Sequence, residues 1–288
     1  MTVALRVVKW VLGLVLLFAL TLILIGSFRL SRPVEVAAHE VPPPASDPVR
    51  IAEGRRLADA FACTECHGPG LEGTNFLEGG PFMMLPAPDL TGARFTAEQL
   101  ERSIRHGIGA DGRVLVIMPS EAFVGMSDAD LGALVGYIES LPARNSLLIE
   151  RSIGPIGRAV SAFQAPVLQP ARRIEQATTH AATHDGAVAR FGSLCSTCHG
   201  ADYGGQPFAA EQPLWAPNLT GHATGASSWS LEQFSTAVRQ GRTPDGRTLD
   251  SANMPWKGFS HLTDDEVREI WEFLRSLPPV DRPRPADM

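Results

Sequence analysis

The chain has 288 residues, 44% of them apolar and 19% charged, with a formal charge of −6. That is room for two folded units with ordinary cores, and the acidic balance argues against a nucleic-acid partner. Glycine (27) and proline (23) are plentiful and aromatics few (7%), a balance that suits short helices joined by long loops.

In chain order, the first element is an apolar run. From Trp10 to Phe28 there are nineteen residues without a charge, enough to span a bilayer core. It predicts a transmembrane anchor over 10–28 behind a stub of residues 1–9. A cleaved signal peptide is the rival reading, but its apolar region is shorter, and the cleavage-like Val36-Ala37-Ala38 lies well beyond the run. A retained anchor is expected. Charge balances across the run, with Arg6 and Lys9 before it and Arg29 and Arg32 after it. Residues 29–47 contain Pro42-Pro43-Pro44 and read as a stiff tether.

All four cysteines fall in two motifs, Cys63-Thr64-Glu65-Cys66-His67 and Cys195-Ser196-Thr197-Cys198-His199. Cys-x-x-Cys-His is the attachment site of a c-type haem: both thiols add across the vinyl groups and the histidine becomes the proximal iron ligand. Structural zinc prefers cysteine pairs separated by a short loop, whereas these lie 132 positions apart. A thioredoxin-like disulfide needs a βαβ setting, which is absent. Two covalent haem c groups are expected.

The surroundings of the motifs repeat as well. Gly54 and Gly186 each precede their first cysteine by nine. Pro88-Asp89-Leu90-Thr91-Gly92 recurs as Pro217-Asn218-Leu219-Thr220-Gly221, and Asp111-Gly112-Arg113 as Asp245-Gly246-Arg247. Met118-Pro119 recurs as Met254-Pro255, and Leu141-Pro142 as Leu277-Pro278. The chain is thus two copies of one unit, over 48–143 and 183–288, joined by a linker at 144–182. The units carry −6 and −4, and the remainder +4.

Each copy reads as mostly helical. A first helix covers about 51–62 and 184–194. A middle one covers 96–106 and 230–240, opening on Thr96 and Ser230 before an acidic first turn. A closing helix runs from Ser127 or Thr263 to Ser140 or Ser276, with capping-box starts. Its stripes are Leu131, Leu134, Tyr137, Ile138 and Leu141 in one copy, and Val267, Ile270, Trp271, Phe273, Leu274 and Leu277 in the other; these are core positions. In the linker, Ile149, Ile153, Ile156, Val160 and Phe163 share one helical face, weakened by Gly154, Pro155 and Gly157. That face is expected to pack on the units, with the linker arginines meeting acidic surface or anionic lipid.

An electron-transfer haem takes a second axial ligand. Met118 and Met254 stand 55 and 59 residues after their first cysteines, each before a proline. A thioether there favours ferrous iron and raises the potential. Met83, Met84 and Met126 lack counterparts and read as packing residues, and His106 aligns with Gln240. Arg113 and Arg247 suit either haem propionates or a plain turn.

On these motifs each half resembles a class I cytochrome c, and the whole is similar to membrane-anchored tandem dihaem cytochromes c, among them cytochrome subunits of periplasmic dehydrogenases. The resemblance implies an all-α fold and one-electron transfer between redox partners: a dehydrogenase, a cytochrome complex or a terminal oxidase. It also implies haem attachment outside the cytoplasmic membrane, hence a single-pass inner-membrane protein with periplasmic haem domains. The alternative is a dihaem peroxidase-like enzyme with one open iron and His106 as its acid–base residue.

Overall fold

The computed structural model describes residues 3–34, 36, 41–174, 186–207 and 214–282. The predicted linker end (175–182), His184 and residues 283–288 lie outside them. The apolar run forms α1, Val3–Ser31, longer than the predicted span at both ends. At 1.5 Å per residue it is about 43 Å long, and it is apolar enough to cross a membrane.

In the first half, α2 (Pro48–Ala60) starts on Asp47, whose side chain accepts from Arg50 N. A residue in left-handed conformation, Ala62 (φ 57°), separates it from the short α3 (Cys63–His67). In the second half the equivalent helix α7 (Gly186–His199) runs unbroken through the motif. The middle helices are α4 (Ala97–His106) and α8 (Leu231–Gln240). Each is closed by a full capping box, with Gln99 and Gln233 as reciprocal partners of Thr96 and Ser230. The closing helices are α5 (Asp128–Ser140) and α10 (Asp264–Ser276). Their predicted stripes hold Leu131, Leu134, Ile138, Val267, Ile270 and Leu274 in the core, with Tyr137, Leu141, Trp271, Phe273 and Leu277 at its margin.

Small strands join the helices. β1 (Thr74–Glu78) and β2 (Met83–Ala87) form an antiparallel hairpin, and β3 (Ser152–Ile153) pairs with the other side of β2. Met83, Leu85 and Ala87 are buried and alternate with half-exposed Met84 and Pro86, the period of a strand with one buried face. β4 (Gln206–Pro207) and β5 (Trp215–Ala216) pair in the second half.

Two expectations are corrected. The tether does not stand free: residues 43–45 lie along α5, where Ala45 N donates to the Gly132 carbonyl at 2.8 Å. Gly132 and Gly136, one turn apart, allow this approach; a Cβ at Gly136 would sit 2.2 Å from the Ala45 carbonyl. With α2 on its other flank, α5 is buried nearly all round. The linker stripe packs on the units only in part, through Ile153, which pairs with Met83 of the first unit. Ile153 belongs to β3, and α6 (Pro155–Leu168) turns Gly157, Ser161 and Ala162 inward while Ile156 and Phe163 stay exposed. Small residues win the inward face because α6 packs closely on α1 at Gly26.

The two halves are clamped together. Arg190 on α7 donates to Asp130 on α5 at 2.8 Å and contacts Glu266 on α10 at 3.1 Å. Arg56 on α2 holds Glu266 with two bonds of 2.8 and 2.9 Å. Beside these charges Phe61 packs on Phe191, ring centroids 5.0 Å apart. Burial alone would raise the Glu266 carboxyl, but Arg56, the Thr263 amide and Arg190 hold it below its ordinary value. A depressed carboxylate stabilises the fold above its unfolded pKa, and that contribution disappears as pH falls through the folded one. Arg190→Ala, which leaves Asp130 and Glu266 facing each other, is expected to cost about 1–3 kcal/mol in urea unfolding. The deficit should shrink as pH is lowered below the carboxylate range; a deficit that grows there would contradict the clamp.

Candidate functional site

Each histidine of the repeated motifs is buried at the end of its helix. His67 Nδ1 lies 2.9 Å from the Pro88 carbonyl oxygen, and His199 Nδ1 lies 2.8 Å from that of Pro217. An Nδ1–H donating to a carbonyl leaves Nε2 as the free lone pair, the arrangement a metal-binding imidazole needs. Burial lowers the pKa of both rings, opposed by the proline carbonyls, so the neutral form is favoured.

The repeated Pro-(Asp/Asn)-Leu-Thr-Gly segment explains why those carbonyls stay put. Asp89 Oδ1 accepts from Thr91 N and Thr91 Oγ1 at 2.9 and 2.6 Å. Asn218 Oδ1 accepts from Thr220 N and Thr220 Oγ1, both at 2.8 Å. Both threonines are fully buried. The segment ends tie into the chain beyond the closing helix: Thr91 Oγ1 accepts from Arg144 N and Thr220 Oγ1 from Val280 N. Sequence reading noted the repeat but did not assign Pro88 and Pro217 a part; a proline held before a polar turn, in both copies, was the available signal.

The cysteines are half-buried and unpaired. Burial and the neighbouring Cys66 charge push the Cys63 thiol up to about 12; Cys195 rises to about 12 and Cys198 to about 11, again through burial. Such thiols stay protonated at neutral pH, unlike those of disulfide exchange or other nucleophilic chemistry. Among the described residues no cluster of three or more His, Cys, Asp or Glu could hold a metal ion.

In the second half, Cys195, Cys198, His199 and Met254 line one cavity of about 620 Å³ with Trp229 and Phe234 among its walls. That size is ordinary for a cofactor site. Thiols three apart, a buried imidazole and a thioether on one apolar cavity suit a covalently held haem. Arg247 lines the same cavity, its Nε bonded to Asp245 Oδ2 at 2.7 Å. Arg113 is exposed, 3.6 Å from Asp111. In the first half Met118 and Cys63 pack on one hydrophobic core.

The two methionine loops are alike at the proline and differ in their support. Pro119 and Pro255 share ψ 52°. After Pro255, Trp256 packs on Gly241 and donates to the Leu249 carbonyl at 3.0 Å. Its counterpart Ser120 also lies against Gly107 and donates to the Ser103 carbonyl at 2.9 Å, and Ala171 from the linker packs on the same glycine. Ile117, with φ 69°, donates its N–H to the Leu168 carbonyl at 2.7 Å. A β-branched residue in that region is strained, and the linker holds it there. Met83 and Met126 are buried packing residues, as expected. His106 is buried 3.2 Å from Glu101. Gly54 and Gly186 do not match in role: Gly54 permits α2 to cross α5 at Ala133, whereas Gly186 opens α7 with φ 65°.

Asn218→Leu should cost about 1–3 kcal/mol, since two buried Thr220 donors lose their acceptor. Asn218→Asp, which keeps that acceptor and loses the Asn218 Nδ2 bonds to Val280 O and Thr224 Oγ1, should cost less. Urea unfolding checks both.

Comparison with known proteins agrees with this geometry. Residues 186–278 match the family described as cytochrome c, and residues 49–138 match cytochrome c oxidase, cbb3-type, subunit III. The chain is 27% identical over 287 residues to the fructose dehydrogenase cytochrome subunit of Gluconobacter japonicus, covering 89% of this chain and 57% of the relative. It is 25% identical over 276 residues to the alcohol dehydrogenase (quinone) cytochrome c subunit of Gluconacetobacter polyoxogenes, covering 82% and 58%. Over 102 residues it is 33% identical to the gluconate 2-dehydrogenase cytochrome c subunit of Pantoea cypripedii, covering 32% and 22%. The chain thus spans little more than half the length of the curated relatives it matches most extensively. With a Cys-x-x-Cys-His motif and a His–carbonyl pair in each half, the chain carries two cytochrome c domains, one following the other.

Proposed function

We propose that the chain is a membrane-anchored dihaem cytochrome that takes single electrons from a dehydrogenase catalytic subunit and delivers them to a cytochrome complex or terminal oxidase. Domains 48–143 and 183–288 each hold one haem c, through Cys63 and Cys66 and through Cys195 and Cys198. His67 and Met118 would hold the iron of the first, His199 and Met254 that of the second. α1 crosses the inner membrane once, with its N-terminus cytoplasmic and both domains periplasmic.

Bound haem supplies a one-electron iron couple; the residues of the chain set its conditions. The proline carbonyls orient each imidazole, and the apolar cavity wall keeps water away from the second site. A soft thioether from Met118 or Met254 would raise the potential of the iron it held, and a ligand set that serves both oxidation states would keep rearrangement small. The clamp of Arg190, Arg56, Asp130 and Glu266, with Phe61 on Phe191, joins the helix entering the first motif to the helix carrying the second. A rigid joint between the sites suits relay of electrons from one to the other. Acidic domain surfaces suit a partner with a basic docking patch, which speeds encounter. The names of the relatives, all cytochrome subunits of dehydrogenases, support the dehydrogenase as donor.

The observation that carries this reading is the duplicated His–carbonyl pair, 2.9 Å in one half and 2.8 Å in the other. Intact mass of the mature protein should exceed the polypeptide by two haems, and the Cys63→Ala/Cys66→Ala variant by one. In redox titration Met118→Ala and Met254→Ala should each lower one potential and abolish its Met–iron charge-transfer band, with the other haem unchanged. A high-spin haem or peroxide turnover in the unmutated protein would refute the carrier.

A further inference from the structure

α6 is built inside out. Gly157, Ser161 and Ala162 are buried, while Ile156 is 55% exposed and Phe163 66%. Positions 156, 159, 160 and 163 fall at the spacing of one helical stripe, and Ala159 and Val160 on it are half-exposed. A helix surrounded by water would place that stripe in the core.

The buried face is turned to the end of α1. A Cβ on Gly26 would lie 1.6 Å from the Arg158 carbonyl. Arg29 donates to the Ala162 carbonyl, and Gln169 Nε2 to that of Leu30 at 3.2 Å. Arg172 Nη2 donates to the carbonyls of Arg29 and Arg32 at 2.5 and 2.8 Å. Here the uncharged run of α1 ends at Phe28. Leu24 and Phe28 are 70% and 68% exposed at this level, so the α6 stripe continues the apolar surface of α1. From 144 to 174 the chain has one acid, Glu150, against five arginines.

We propose that α6 lies in the boundary between phospholipid headgroups and acyl chains. Its Ile156–Phe163 stripe sits in lipid, and Arg29, Arg158 and Arg172 sit at the level of the phosphates. The partner is the phospholipid surface of the leaflet from which α1 emerges; continuity with α1 and the basic rim select it. The inference rests on α1 crossing the bilayer. It makes the first domain a body seated on the membrane, since Leu168 at the end of α6 holds the loop of Met118 through Ile117 N.

Ile156→Cys, Phe163→Cys, Leu16→Cys and Leu147→Cys, made singly in the full chain with haem attached, place one free thiol each. In nanodiscs of phosphatidylcholine and phosphatidylglycerol, reaction with a charged, membrane-impermeant maleimide is followed by intact mass. Leu147, 99% exposed, is the aqueous reference and Leu16 the reference for the span. Thiols at 156 and 163 are expected to react about tenfold or more slowly than at 147, because a thiol in lipid stays protonated and out of reach. If they react as fast as at 147 while 16 stays protected, the seating of α6 is overturned and the span stands. If 16 also reacts fast, the span itself fails. Thiols that react fast in nanodiscs and become shielded only with a dehydrogenase subunit present would assign the stripe to a protein partner and overturn the lipid assignment.

Discussion

The bond from a buried histidine Nδ1 to a proline carbonyl is the constraint around which each half is arranged. It fixes the tautomer and direction of the ring, and the carbonyl is itself fixed by a buried polar turn. In the first half Asp89 serves that turn; in the second, Asn218. The two choices differ in what surrounds them. Asp89 also accepts from Ser146 N and faces Arg94 at 3.3 Å, so a negative charge is matched. Asn218 donates to the Val280 carbonyl at 2.7 Å, which a carboxylate could not do. The turn in each case ties the proline to the chain emerging from the closing helix, so the helix that buries the core also steadies the histidine.

Much of this was legible in the sequence because it is duplicated. The helix starts at Thr96, Ser230, Ser127 and Thr263 carry capping chemistry that acts within four residues, and local chemistry survives any tertiary setting. The stripes of α5 and α10 likewise follow from helical period. The hairpin of β1 and β2 was missed because its run, Met83-Met84-Leu85-Pro86-Ala87, is short and contains a proline. The tether was misread for a different reason. Three prolines indicate a stiff extended segment, but whether it stands free depends on Gly132 and Gly136, about ninety residues away, which open a path for it. The linker stripe was legible only in part: Ile156, Val160 and Phe163 share a face of α6, but Ile149 precedes the helix and Ile153 lies in β3, and periodicity does not say what a face meets.

The asymmetry between the methionine loops has the same origin. Duplication gives both halves the Met-Pro loop, yet the second supports it from within, through Trp256 on Gly241, and the first borrows Leu168 and Ala171 from the linker. Ser120 stands where the tryptophan would be, and it shares its contact with Gly107 with Ala171 of the linker. The loop of Met118 thus rests partly on a segment outside the repeat.

That dependence links the α1 end of the molecule to its first site. α1 packs on α6, α6 ends at Leu168, and the Leu168 carbonyl holds Ile117 in a conformation that a β-branched residue does not adopt unaided. Met118 follows directly. The second half meets the first across the Arg190 and Arg56 clamp. A displacement of α1 would therefore reach Met118 through α6 and Leu168, a path with no counterpart among the described residues of the second half.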